Sequence, residues 1–292
     1  MRYRQFSTRA GRGVHGDQFK DAVRGVGLDR SDRLYVVGDS EAAVFDGDGR
    51  LLRRWPTGGP GYCIAVDING NVYVGETCRI EVFDGMGRLL RTHRDAGRLG
   101  TVTAIGFAGE DLLAADATHR CIRRYDRDGR FVNNIGDRNN TKGFLIPNGH
   151  LDFCLDANGI IYAANAGKYR IERYTSAGEL LSHFGRFGTR NPEDFPGCCN
   201  PTNVALTAAG RVVVTEKAPA RAKVYDAAGT MLCLIGPDAF DQSCRNMDVA
   251  VDSRGRIYVV DTARLLVRVF ESQDGPAAAT SASSPASGGV RP

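Results

Sequence analysis

The chain has 292 residues, 42% of them hydrophobic, enough to bury a large core in one long, repeat-built domain. A formal net charge of +4 is too small to point to a nucleic-acid partner by itself. No run of eighteen apolar residues occurs, which excludes a membrane-spanning helix.

Taken in order, the chain opens with a short strand-like piece, Tyr3–Arg9, that no preceding unit explains. A pattern of three apolar runs and a fourth weaker one then recurs six times. The first run of each unit ends at Asp29, Asp67, Ala108, Asp156, Thr207 and Asp252. The second ends at Asp39, Glu76, Asp116, Asn165, Glu216 and Asp261, and the third at Asp46, Asp84, Asp126, Thr175, Asp226 and Glu271. Val, Ile, Tyr and Phe dominate the runs, as a pleated surface favours, and none is long or periodic enough for a helix. Gly70 and Gly87 close the turns of the clearest unit, because glycine takes positive φ cheaply.

Second-run positions are spaced by 37, 40, 49, 51 and 45 residues. Four strands in about forty residues make a propeller blade. One sheet this small cannot cover both its faces, so the blades must pack radially. The sixth unit has only three strands, at 247–252, 256–261 and 266–271. Tyr3–Arg9 is therefore expected as its outer strand, sealing the ring. The fold class is all-β: a six-bladed propeller of four-stranded blades over residues 1–271. The Ala-, Ser-, Pro- and Gly-rich stretch 272–292 reads as a disordered tail.

The unit Asp-x-x-Gly-x-hydrophobic, then Arg-hydrophobic-x-Val-Phe-Asp-x-x-Gly, resembles the NHL repeat. Residues 64–90 and 249–271 match it closely, and 153–181 nearly so. The third unit departs at Ala108-Gly109-Glu110-Asp111 and the fifth at Thr207. The resemblance spans about residues 3–271 and implies a six-bladed propeller. It does not imply one activity, since NHL-type propellers bind RNA, bind proteins or act as enzymes.

Function should sit where the repeats differ, on the face carrying the blade-to-blade connections. The links into blades 4, 5 and 6 (137–149, 186–200 and 237–245) are the long ones, and the first holds an apolar patch at Phe144. Aligned on the repeat, Asp152, Asn203 and Asp248 are equivalent, each four residues before its register residue; Cys199 and Cys244 are equivalent at eight. These entries are expected around the channel mouth. The predicted rim for a ligand or protein partner is Phe144, Asn148, His150, Asp152, Asn200, Asn203, Asn246 and Asp248.

Eight cysteines are present, and Cys198, Cys199 and Cys244 fall in this constellation. Three readings stay open: a Cys199–Cys244 disulfide, a soft-metal site for zinc, copper or an iron–sulfur group, or free thiols in packed loops. No C-x-x-C, G-x-S-x-G, P-loop or G-x-G-x-x-G pattern occurs, and only His150 lies on an inner-strand entry, against a three-histidine zinc site. The ring of second-strand acids is expected to fix the adjoining loops through their backbone. The resulting expectation is a non-catalytic binding or scaffold module. A metal- or redox-active propeller using the three cysteines is one alternative. RNA binding through Arg170, Arg186, Arg190, Lys217, Arg221 and Arg245 is the other. With no apolar leader segment, a cytoplasmic location is expected, and a monomer.

Overall fold

A computed structural model describes residues 1–9, 19–137 and 142–273. Twenty-four strands form six four-stranded antiparallel sheets. β1 is Tyr3–Arg9. Blade 1 is β2 (Gly25–Leu28), β3 (Leu34–Gly38), β4 (Glu41–Phe45) and β5 (Leu51–Pro56). Blade 2 is β6 (Cys63–Val66), β7 (Val72–Glu76), β8 (Arg79–Phe83) and β9 (Leu89–His93). Blade 3 is β10 (Val102–Ala108), β11 (Asp111–Asp116), β12 (Cys121–Tyr125) and β13 (Phe131–Ile135). Blade 4 is β14 (Phe153–Leu155), β15 (Ile161–Asn165), β16 (Arg170–Tyr174) and β17 (Leu180–Phe184). Blade 5 is β18 (Asn203–Leu206), β19 (Val212–Lys217), β20 (Ala220–Tyr225) and β21 (Met231–Ile235). The last sheet runs β22 (Val249–Val251), β23 (Ile257–Asp261), β24 (Leu266–Ser272) and then β1.

The expected closure is observed. β1 pairs antiparallel with β24, Tyr3 opposite Ser272 and Arg9 opposite Val267. Gln5 Oε1 accepts from Arg268 Nη1 at 2.7 Å across the junction. The third strand of this blade extends through Ser272, the first residue of the expected tail; residues 274–292 lie outside the described ones.

The Asp-x-x-Gly signature has a direct local cause. Asp67 Oδ1 accepts from the backbone N–H of Asn69 (2.8 Å) and of Asn71 (2.9 Å), while Gly70 turns the chain at φ +83°. Thr207 supports its turn with a single bond, Oγ1 to Arg211 N at 3.1 Å. Blade 3 does without the motif because its first hairpin is tighter: Ala108 pairs directly with Asp111 around Gly109 and Glu110.

Six apolar clusters fill the six clefts between neighbouring blades. Second strands such as Leu34–Gly38 and Ile161–Asn165 are buried along their whole length. Each buried Val or Ile contributes about 1.5–3 kcal/mol, against a net of about 1 kcal/mol for a hydrogen bond, so side-chain burial dominates the joints. Blades 1 and 2 meet closely at Gly25 and Gly27, where a Cβ would lie 2.8 Å from Cys63 Cα and 2.7 Å from Ile64 O.

A charged layer lies within this apolar frame. Two residues before the aromatic that ends each third strand stand Ala43, Glu81, Arg123, Glu172, Lys223 and Arg268, all buried. The charged ones face the acid or amide ending the second strand or the loop that enters the blade. Glu81 Oε2 accepts from Gly58 N at 2.8 Å; Arg123 Nε donates to Asp116 at 2.8 Å; Arg268 Nε donates to Asp261 at 2.8 Å. Lys223 Nζ lies 2.5 Å from Glu216 Oε1, donates to Asp194 O at 2.7 Å and sits 4.4 Å over the Phe195 ring. The second-strand groups also fix loops as expected: Asp39 accepts from Asp21 N and Ala22 N, Asp116 from Gly100 N, and Asn165 from Leu145 N. Glu76 and Glu216 differ, being held instead by Arg79 and by Arg221 with Lys223.

Candidate functional site

The innermost strands β2, β6, β10, β14, β18 and β22 line an axial channel enclosing about 250 Å³. Their leading ends carry the side chains that stitch one blade to the next. Asp152 Oδ2 accepts from Val204 N at 2.7 Å, joining blade 4 to blade 5. Asp248 Oδ2 accepts from Val26 N at 2.8 Å, joining blade 6 to blade 1. Thr103 Oγ1 donates to Leu151 O at 2.6 Å and, from the second strand β19, Thr215 Oγ1 donates to Met247 O at 2.7 Å. A carboxylate serves at the Asp152 and Asp248 joints because it accepts the backbone N–H that the next blade presents, Val204 or Val26.

Asn203 sits between the acids. Its Nδ2 donates to Asp248 Oδ1 at 3.2 Å and lies 2.9 Å from His150 Nε2. Its Oδ1 is buried with no hydrogen-bond partner among the described residues. Burial lifts Asp248 to about 6 and raises Asp152 well above the ordinary carboxylate range, the Asp248 charge adding to the latter. Burial lowers His150 to about 4, so the imidazole is neutral near pH 7 and Nε2 accepts the Asn203 proton.

Above this floor the channel widens into a mouth of about 480 Å³. Its walls include Arg24 and Tyr62 from blades 1 and 2, Thr101 from blade 3, Asn148 and His150 from blade 4, and Arg245 and Asn246 from blade 6. Asn148 Nδ2 donates to Asn246 Oδ1 at 2.9 Å, bridging two blade entries. The Arg24 guanidinium lies 5.3 Å over the Tyr62 ring. Arg24 and Arg245 are exposed, and neither makes an ion pair with a carboxylate among the described residues. The mouth thus offers two permanently cationic groups beside side chains that both donate and accept, with the Asp21 carboxylate also in its wall.

No family model matches the chain, and no curated protein matches it either. Its likeness to solved structures is one of shape. A streptogramin B lyase shares 10% identity at a TM-score of 0.61, over 92% of this chain and 97% of that one. Virginiamycin B lyase from Staphylococcus aureus shares 13% at 0.60, over 85% and 94%. The WD40 β-propeller domain of Doa1 shares 15% at 0.59, over 86% and 79%. These neighbours establish the propeller and nothing finer. The NHL likeness is one of sequence pattern.

The structure brings together Asn148, His150, Asp152, Asn203, Asn246 and Asp248 around the mouth and its floor, and corrects the rest of the expected constellation. Phe144 is not a rim residue: it is wholly buried between blades 3 and 4, its ring 5.9 Å from Tyr174. Phe144 N donates to Arg120 O and Leu145 N to Asn165 Oδ1, which folds the apolar patch into the cleft. Asn200 is also buried and serves its own loop, Nδ2 donating to Pro196 O and Ala218 O while Oδ1 accepts from Lys217 N.

All eight cysteines are free thiols, so the Cys199–Cys244 bridge is not formed. Cys244 Sγ donates to Asp261 Oδ1 at 3.2 Å, whereas Cys199 lies against Cys198. Among the described residues no group of three or more His, Cys, Asp or Glu side chains is placed to hold a metal ion. Half of the expected basic face is spent on ion pairs: Arg170 with Glu172, Arg186 with Asp194, Arg221 with Glu216. No helix among the described residues is long and apolar enough to cross a membrane.

Sequence reasoning missed the contribution of blades 1–3, namely Arg24, Tyr62 and Thr101. It followed the long connections, whereas the mouth is built from every entry segment that reaches the axis. Arg24 and Tyr62 stand five residues before Asp29 and Asp67, one residue ahead of the positions equivalent to Asp152, Asn203 and Asp248.

Proposed function

We propose that this propeller is a binding module whose mouth seats a small, acceptor-rich anionic ligand such as a carboxylate- or phosphate-bearing molecule. One observation carries the reading: two arginines without carboxylate partners among the described residues share a polar cavity of about 480 Å³ with Tyr62, Asn148, His150 and Asn246. Guanidinium groups recognise planar oxyanions in bidentate fashion, and a preformed concave site limits the ordering cost of binding. The buried acids beneath are tied to backbone N–H groups and act as the floor. RNA binding is the weaker reading, because ion pairs hold three of the six basic residues expected there, Arg170, Arg186 and Arg221.

The test is calorimetric titration with a panel of small carboxylates and phosphates, on the parent protein and on an Arg24→Ala/Arg245→Ala variant. Both arginines are exposed, so the variant is expected to keep its stability within about 0.5 kcal/mol. Binding should weaken by roughly tenfold or more in the variant. Panel members that bind both proteins equally, or a panel with no binder, would remove the anion reading.

A further inference from the structure

Away from the mouth, Cys198 and Cys199 hold their sulfurs 3.1 Å apart, about 1 Å beyond the ~2.05 Å of an S–S bond. Cys198 is exposed and Cys199 buried, so one sulfur meets solvent while the other waits behind it. The backbone on either side is anchored: Asn200 Nδ2 donates to Pro196 O (2.8 Å) and Ala218 O (3.1 Å), and Thr202 N donates to Thr215 O (2.9 Å). Burial pushes the Cys199 thiol above its usual value, the Cys198 sulfur adds to this, and the neighbouring Lys217 ammonium opposes both. Lys217 is free for this because Glu216, next to it in sequence, is paired with Arg221 and Lys223.

The other thiols lack this arrangement. Cys63, Cys121 and Cys154 are held up by burial, and Cys244 is bonded to Asp261. Cys78 is exposed, but no other sulfur lies within bonding distance of it among the described residues.

We propose that Cys198 and Cys199 form a redox-modification site at which a hydroperoxide converts the adjacent thiols into a disulfide. The Cys198 thiolate attacks the terminal peroxide oxygen and the O–O bond breaks. The departing oxygen takes a proton and leaves as alcohol, or as water from hydrogen peroxide, and Cys198 becomes a sulfenic acid. The Cys199 sulfur then attacks Cys198 Sγ, the S–O bond breaks, and the hydroxyl leaves as water with the Cys199 proton. Two thiols and one hydroperoxide give one disulfide, one alcohol and one water, with two electrons passing from sulfur to peroxide. The sulfurs are already adjacent, and closure must be accommodated within the Cys198–Cys199 dipeptide, whose Cα atoms stand about 3.8 Å apart, closer than is usual for a disulfide.

The experiment treats the full chain with graded hydrogen peroxide, alkylates the remaining thiols and maps the peptides by mass spectrometry. The peptide carrying Cys198 and Cys199 should become lighter by two hydrogen atoms, refuse alkylation and recover both sites after dithiothreitol. Cys78 in the same sample supplies the isolated-thiol comparison. In Cys199→Ala, Cys198 should stop at a dimedone-trappable sulfenic acid; in Cys198→Ser, whose change is on the surface, no bridged peptide should form. Accumulation of sulfenic or sulfinic Cys198 in the parent protein overturns the proposal, as does pairing of either sulfur with a different cysteine. An unmodified pair at a peroxide dose that fully oxidises Cys78 overturns it too.

Discussion

Blades 2 and 5 share one strand plan and carry opposite charges at one buried position. Glu81 in blade 2 and Lys223 in blade 5 occupy the same place relative to Phe83 and Tyr225, facing Glu76 and Glu216. Blade 2 is entered by a short link whose exposed backbone group at this point is the Gly58 N–H, and an acid captures it. Blade 5 is entered by the long 186–200 segment, which presents the carbonyls of Glu193 and Asp194, and a cation captures those. In these two blades the repeat sets where the buried charge stands, and its sign matches the backbone group that the incoming loop presents. Buried charge in these two blades therefore fastens the connection that enters each of them.

The largest break in the comparison is Lys223→Ala. It strips Glu216 of one of its two cations, releases two loop carbonyls and removes the contact over Phe195. A loss of about 3–5 kcal/mol in denaturant unfolding is expected. A loss under about 1 kcal/mol would show that the 186–200 segment is held by other contacts.

A smaller effect is a pH dependence. Burial brings Lys223 down to about 8 from its ordinary 10.5, so between those values the unfolded chain binds a proton that the folded chain has released. Unfolding free energy must then rise with pH across that window. The parent protein should gain stability relative to Lys223→Met between about pH 8 and 10.5, by an amount on the order of 1–3 kcal/mol. A flat or falling difference would contradict the burial argument.

The smallest effect sharpens the other half of the comparison. Burial first, then the Glu81 charge, raises Glu76. Glu81→Gln keeps an oxygen for Gly58 N–H and removes the like charge. It should change stability by less than about 1 kcal/mol, in the stabilising direction near neutral pH, as thermal unfolding would record.

These charges also mark the limit of what the sequence discloses. The four-strand repeat, the six units and the closing strand were legible, because Asp-x-x-Gly turns and apolar runs are local signals. The alignment of Asp152, Asn203 and Asp248 at the channel was legible from the repeat itself. The third-strand charges were not: in RIEVF or ARAKVY the alternation reads as one face toward solvent, whereas both faces of a blade interior are covered. Phe144 misled for the converse reason, since an apolar run in a polar connection does not disclose whether the chain folds back into the cleft beside it. The thiol pairing turned on which blade each entry faces, which equivalent spacing alone could not decide.

The seal between Tyr3–Arg9 and Leu266–Ser272 has a consequence for synthesis. Within the ring, the strand that is made first, β1, is partnered by the one made last, β24, across 263 residues at the Gln5–Arg268 bond. Until β24 emerges, β1 has no edge to join, and the blade between the first and fifth lacks its full set of strands. Contacts of such separation make ring closure a late event, and five blades must wait for the final one with an open flank.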